Sequence, residues 1–435
     1  MEIVASFAYL LQELSPVMTA PTFARFNELV TGWLFASRRT VTGMLRAAGL
    51  AGCCHHAGYH RLFSSARWSL DQLGLAVLRL ILPLLGAGVI FVAVDDTLAR
   101  KRGSKMFGTG MHHDPLLSSR GRKVLNWGHN WVVLSVIFPS PLRPGHYFSL
   151  PILFRLYLNR KSAARERRAY RARTDLALEL LALLGKAQPN RRFHVLADSA
   201  YGGQSVLCYL PQNFDLTSRL VLDARLYELP PARQPGVRGR PRRRGAKLPT
   251  PAQMLAERCA NVTLDLYGRH DRVRLASAHA CQRAAPERLL RIVAVEALKG
   301  GRGRQAFYST DTQADASDVL AWYARRWSIE VAFHDSKQYL GFEEPQGWTH
   351  RAAKRTAPVA MLLYTIIVVW FHQEGHTQWK PEQTSWYQPQ HASFGGMLAT
   401  LRRESLRERV ICWGLQGPGS QKILQTLENA LALAV

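Results

Sequence analysis

Apolar and polar positions change their spacing several times along the chain, and each change predicts an element. Residues 1–75 read as helical. Phe23–Phe35 is one helix, Ser37-Arg38-Arg39-Thr40 is a polar turn, and Val41–Ala48 is a second helix stopped by Gly49. Two short helices around a tight basic turn fit a helix-turn-helix-like DNA-binding module, and they fit an ordinary small helical bundle with basic surface residues equally well.

From Val89 the pattern becomes β-like. Val89–Val94 is a continuous β-favouring run ending in Asp95-Asp96-Thr97, and Asn130–Phe138 and Tyr147–Tyr157 are further strands separated by Pro139, Pro141, Pro144 and Gly145. Thr174–Leu184 is helical and stops at Gly185. Phe193–Ala197 is a short buried strand ending in Asp198, with Ser199-Ala200-Tyr201-Gly202-Gly203 as a turn, and Ser218–Ala224 is the next strand. That order predicts an α/β sheet led by an antiparallel meander.

Pro230–Pro249 breaks the pattern. It is rich in proline and glycine and holds Arg240-Pro241-Arg242-Arg243-Arg244, so it reads as a basic loop: a solvated insertion, or an arm in which Arg242, Arg243 and Arg244 grip phosphates. Val262–Ser277 and Leu289–Ala297 then read as strands of an inserted sheet, and Ser309-Thr310-Asp311 returns the chain to the core. One helix is expected from an N-cap at Ser317 to Gly341, and a final helical region runs from Lys354 onward. The expected units are 1–75 helical, 76–228 the first part of the core, 229–305 the basic loop and β-rich insertion, 306–375 the rest of the core, and 376–435 a C-terminal helical region.

Composition narrows the partner. The 435 residues are 47% hydrophobic, enough for a buried core, and 57 Lys plus Arg against 31 Asp plus Glu give +26, spread along the whole length. Such a field favours a polyanion, nucleic acid first. Ile81–Val94 and Val359–Phe371 are shorter than the ~20 residues of a membrane span and read as core. The N-terminus lacks a signal peptide's basic segment, so a cytoplasmic protein with no membrane partner is expected. The six cysteines show no repeated spacing, and the adjacent residues of Cys53-Cys54-His55-His56 cannot all face one tetrahedral ion.

Chemistry concentrates in the late helix. Tyr323, Arg326, Glu330 and Lys337 lie three, four and seven residues apart, which stacks them on one helical face. Glu330 with Arg326 could be an ordinary surface ion pair. Two strand-end acid sites, Asp95-Asp96 and Asp198, give the face a further meaning, because strand ends of an α/β sheet are where sites are built. Three such carboxylates can share a pair of Mg²⁺ ions suited to in-line displacement at phosphorus. The chain contains no phosphate-cradling P-loop, GxSxG, HExxH or dinucleotide fingerprint.

The segments Val94-Asp95-Asp96-Thr97, Leu196-Ala197-Asp198-Ser199-Ala200-Tyr201-Gly202 and Tyr323 through Lys337 resemble the DDE signature of bacterial insertion-sequence transposases, in particular the group marked by a YREK helix. The resemblance spans about residues 20–375. It implies an RNase H-like mixed-sheet core with a β-rich insertion and an N-terminal helical domain, and Mg²⁺-dependent cleavage of double-stranded DNA at element ends with transfer into target DNA. Mn²⁺ is a possible substitute ion, and pairing two ends implies a dimer or higher oligomer on DNA. Carried over, Asp198 and Glu330 are metal ligands, and Asp95 is preferred to Asp96 as the first. Tyr323, Arg326 and Lys337 would handle phosphates near the scissile bond, with Arg38, Arg39 and Arg242–Arg244 as further DNA contacts and Trp127, Trp327 or Trp348 as bases' stacking partners or plain core residues. An RNase H-class nuclease or resolvase, and a DNA-binding relative without catalysis, are the competing functions.

Overall fold

The chain opens with helices α1 (Ala5–Gln12), α2 (Ala20–Phe35), α3 (Val41–Ala47), α4 (Ala57–Ser64) and α5 (Leu70–Ile81). Local chemistry sets their starts: Thr40 Oγ1 accepts from the Gly43 amide at 3.1 Å before α3, and Ser69 Oγ caps α5 through Gln72 at 3.3 Å. The computed structural model describes residues 3–412 except 120, 232–241, 258, 267–268, 284, 299–302, 382, 384 and 387, together with 422, 423 and 426. Half of the expected basic loop, residues 232–241, and the end of the expected C-terminal region lie outside the described residues.

The strands are β1 (Ile90–Arg100), β2 (Gly110–His113), β3 (Leu125–Pro139), β4 (Tyr147–Tyr157), β5 (Phe193–Ala197), β6 (Phe214–Leu220), β7 (Leu226–Tyr227), β8 (Lys247–Leu248), β9 (Ala260–Leu266), β10 (Arg269–Gln282), β11 (Ala285–Ala297) and β12 (Arg304–Ser309). Between and after them come α6 (Arg160–Arg165), α7 (Arg173–Ala187), α8 (Gln204–Tyr209), α9 (Pro251–Glu257), α10 (Ala316–Arg325), α11 (Ser328–Leu340), α12 (His350–Gln373) and α13 (Phe394–Cys412). β1 is central, antiparallel to β3 and parallel to β5, while β4 pairs β3 and β6 continues beyond β5. This mixed α/β sheet agrees with the RNase H-like core that was expected.

Three expectations change in the structure. The inserted strands do not form a sheet of their own: β12 pairs β6 on one side and β11 on the other, so β9, β10 and β11 extend the core sheet. Asp95 is not at a strand end, because β1 stays paired to β3 as far as Arg100 with Gly128, although its parallel pairing to β5 stops at Val94 with Ala197. The single late helix is two, with a tight turn at Arg326-Trp327, and its N-cap is Asp315. The break has a packing cause. Val319, Leu320 and Tyr323 of α10 bury against Val293, Val295 and Phe307 of the extended strands, whereas Ile329, Ala332 and Phe333 of α11 join the main core.

Gly341 ends α11 at φ 63°, the left-handed conformation glycine tolerates best. α12 is long and apolar enough to cross a membrane by length and composition, but 94% of its apolar window is buried inside the protein. α10 is seated by Trp322, which lies 4.6 Å from the His194 ring and 5.4 Å from Phe91. His194 is 2% exposed, and its Nε2 is 2.7 Å from Thr217 Oγ1.

Burial pushes the His194 pKa from 6.5 down to about 4, with Arg325 and Arg192 adding to the fall against Asp215 and Asp311. A depressed histidine pKa means the unfolded chain takes up a proton that the folded one refuses, so stability falls as pH drops from 6.5 toward 4. Between pH 7 and pH 5, chemical denaturation should show a stability loss about 2 kcal/mol smaller in His194→Asn than in the wild type, in which the buried His112 and His129, also held at about 4, add losses of the same sign.

Candidate active site

Strand register brings the first two acids together. Val94 and Ala197 are a parallel pair, so the residues that follow, Asp95 and Asp198, continue on one side of the sheet on adjoining strands. Beyond Ala197 the chain turns: Asp198 Oδ1 accepts from the amides of Ala200 (2.9 Å) and Tyr201 (3.3 Å), and the Asp198 carbonyl accepts from Ser218 Oγ at 2.8 Å. The turn packs too closely for a side chain at Gly202. A Cβ there would stand 2.1 Å from Ser218 Oγ and 2.9 Å from Tyr308 Oη, which itself donates to the Gly202 carbonyl at 2.5 Å.

Asp96 points to the other side of β1. Its oxygens accept from Tyr201 Oη and Asn130 Nδ2, each at 2.8 Å, and Arg173 Nε stands 3.5 Å away. Tyr201 is 1% exposed, and burial followed by the Asp96 charge raises its pKa, keeping the phenol protonated as the donor. Sequence reasoning quoted Tyr201 only as part of a motif and missed Asn130 and Arg173 altogether; no local signal marks either one.

Arg326 joins the remaining parts. Its Nη1 donates to Asp95 Oδ2 at 2.8 Å and its Nη2 to Glu330 Oε1 at 2.7 Å, so one guanidinium spans an acid of the sheet and an acid of α11. It is 12% exposed by side chain. Burial works to lower its pKa, but Asp95, Tyr323 and Glu330 outweigh that, and the group is held above its usual range. The Asp95 carboxyl behaves differently: burial pushes it up to about 7, Asp198 and Asp96 add to the rise, and Arg326 and the Asp96 amide pull against it.

The rest of the stripe is divided by the helix break. Tyr323 lies on α10 with its ring 4.6 Å from Phe307, and Arg326 stands 5.6 Å over the same ring. Lys337 lies on α11, 3.9 Å from Glu343 Oε1, its pKa lowered by burial. Arg38 is exposed, while the Arg39 guanidinium donates to the Tyr339 carbonyl at 2.7 Å and pairs with Glu344 at 3.6 Å. Arg242 and Arg243 are exposed, and Arg244 lies 5.2 Å over the Tyr227 ring. Trp327 and Trp348 are exposed at the surface, whereas Trp127 is half-buried, with its indole donating to the Gly103 carbonyl at 3.0 Å.

Among the described residues, no group of three or more His, Cys, Asp or Glu side chains is close enough to hold a metal ion. At the acids the reason is visible: Arg326 occupies the space between Asp95 and Glu330. Asp95 and Asp198 alone offer hard oxygen donors on adjoining strands, the chemistry that a divalent cation of the magnesium type takes.

Residues 13–280 match the model of a family described as DDE superfamily endonuclease, a stretch that holds Asp95 and Asp198 and ends before Glu330. No curated protein matches the chain. The Asp198 turn is open to a direct check. Gly202→Ala should destabilise the fold by about 1–3 kcal/mol, whereas Gly203→Ala, which meets nothing within 4 Å, should change it by less than about 0.5 kcal/mol in the same denaturation assay.

Proposed function

The chain belongs to the DDE superfamily of endonucleases, and on that premise we propose that it is a DNA transposase of the bacterial insertion-sequence group marked by a YREK helix. DDE nucleases act on DNA and use divalent metal ions. The observation that carries the finer reading is the Asp95–Arg326–Glu330 bridge beside Asp198. In this reading Asp95, Asp198 and Glu330 are the ligands of Mg²⁺, with Mn²⁺ as a substitute. Asp96 is left out because Tyr201, Asn130 and Arg173 already engage its oxygens.

The donor set suits a hard cation. It is carboxylate throughout, and the buried Asp95 carboxyl, raised to about 7, is a group that a cation stabilises in its charged form. Glu330 joins the two aspartates once Arg326 releases it. Such an ion would supply Lewis-acid polarisation of the scissile phosphate and a nucleophilic water. Freed from the acids, the planar Arg326 fork matches a phosphate, and Tyr323 and Lys337 flank it along the strand. Exposed Arg38, Arg242 and Arg243 would extend the grip on the backbone, in keeping with a net charge of +26.

The substrates are then double-stranded element ends and target DNA in the bacterial cytoplasm. Two ends are held by a dimer or higher oligomer, and the 3′-hydroxyl freed by cleavage attacks the target. A nuclease or resolvase would stop after cleavage, so joining of cut donor DNA to a target separates the two.

With end-sequence DNA and Mg²⁺, Asp198→Ala should lower nicking by roughly 10³-fold while duplex binding persists, a loss of about 4 kcal/mol of transition-state stabilisation. Nicking at the wild-type rate would sink the assignment. Arg326→Gln should bind Mg²⁺ about tenfold more tightly by calorimetry, because the competing cation is gone, and should still cut DNA poorly.

A further inference from the structure

A second concave, cationic place lies outside the acids and the stripe. A cavity of about 560 Å³ opens between the N-terminal ends of α5 and α12, strand β4 and the segment joining α6 to α7. Pockets that enclose small molecules measure about 300–1,000 Å³.

Its charge is unbalanced. The two carboxylates at the cavity, Asp71 and Glu179, are each held by Arg155 at 2.6 Å, and Arg171 also reaches Glu179. These four groups neutralise one another, and Arg168, Arg351, Lys354 and Arg355 remain. Arg351 and Arg355 donate to the carbonyls of Ser65 (2.9 Å) and Ala66 (2.8 Å), contacts that orient them without cancelling their charge. Among the described residues neither Lys354 nor Arg168 forms an ion pair or a side-chain hydrogen bond. Burial lowers the Lys354 pKa, and Arg168, Arg155 and Arg171 lower it further against Glu179.

Helix α12 adds to the excess. A helix N-terminus carries partial positive charge and favours acidic residues, yet the first turn of α12 has none and instead begins His350-Arg351. Converging cations of this kind at a helix start are stabilised by an anion with several acceptor oxygens.

The lining is also aromatic, and the Phe107 ring lies 4.5 Å from the ring of His350 at the start of α12. Trp131 and Phe107 belong to it, and Trp131 is 1% exposed with a buried indole N–H that has no acceptor. Leaving such a donor unpaired costs about 1–3 kcal/mol. The cations call for a phosphate, and the aromatic lining for a planar, apolar-faced group carrying an acceptor.

We propose that this cavity binds a nucleotide unit, its phosphate held by Lys354 and Arg168 and its base against Trp131 and Phe107. The unit comes from a free deoxynucleotide or from an unpaired DNA strand. The site shares no residue with the acids or the YREK stripe, so it stands or falls separately from metal-dependent cleavage.

Calorimetry on the full chain at low salt tests it, with a deoxynucleoside 5′-monophosphate, a short 5′-phosphorylated single strand and inorganic phosphate as probes. Both nucleotide probes should bind saturably, about tenfold or more tighter than inorganic phosphate, and Lys354→Ala or Arg168→Ala should weaken them about tenfold, while Asp198→Ala leaves them unchanged. Trp131→Phe, which keeps a smaller aromatic ring and removes the N–H, should weaken the nucleotides and spare inorganic phosphate. A monophosphate as tight as the strand assigns a free nucleotide; a tighter strand assigns DNA. Absence of saturable binding, nucleotide affinity unaltered by both cation variants or by Trp131→Phe, or inorganic phosphate binding as tightly as the nucleotides would overturn the proposal.

Discussion

Val94 and Ala197 form the last parallel pair between β1 and β5, and the two carboxylates that follow them must share one side of the sheet. Adjoining strands lie about 4.8 Å apart, so the acids cannot avoid each other, and the surrounding protein gives little solvent to screen them. Burial raises the Asp95 pKa to about 7, and the neighbouring Asp198 charge adds to the rise. Arg326 offsets it. One guanidinium reaches back to the strand acid and forward to Glu330, tying α11 to the sheet through charge as well as through Ile329 and Phe333.

Delivering Arg326 to that position depends on the break between α10 and α11. α10 belongs to the strands that extend the sheet, α11 belongs to the main core, and the residue at their junction drops between the acids. Asp96, one residue from Asp95, shows the opposite outcome. Pleating turns it to the other side of β1, where Tyr201, Asn130 and Arg173 absorb its charge.

The parts of this arrangement set by local chemistry were legible in the sequence. The limits of β4 and β5, the Gly341 stop and the separation of Asp95 from Asp96 by strand alternation all follow from residue types within a few positions. The helix break left no such trace. Trp327 keeps helical dihedrals, φ −56° and ψ −25°, so the apolar spacing runs on undisturbed and only the split between two packing clusters reveals the turn. The extended sheet was hidden for a similar reason, since alternation marks β10 and β11 as strands without naming the edge they join. Arg39 read as one cation of a surface turn, and its partners lie 300 and more residues away.

Those distant partners bear on how the molecule comes to exist. The last carbonyls of α11, on Tyr339 and Leu340, are met by Arg39 and by the indole of Trp33, at 2.7 and 2.8 Å. The helix bearing Glu330 is therefore finished by side chains made among the first forty residues. Trp33 and Leu340 are 307 positions apart, and at roughly 5–20 residues per second the ribosome needs roughly 15–60 s to cover that distance. For that interval the apolar faces of α1, α4 and α5 have no α12 to rest on, and the site acquires its shape only when α11 and α12 return to the first helices.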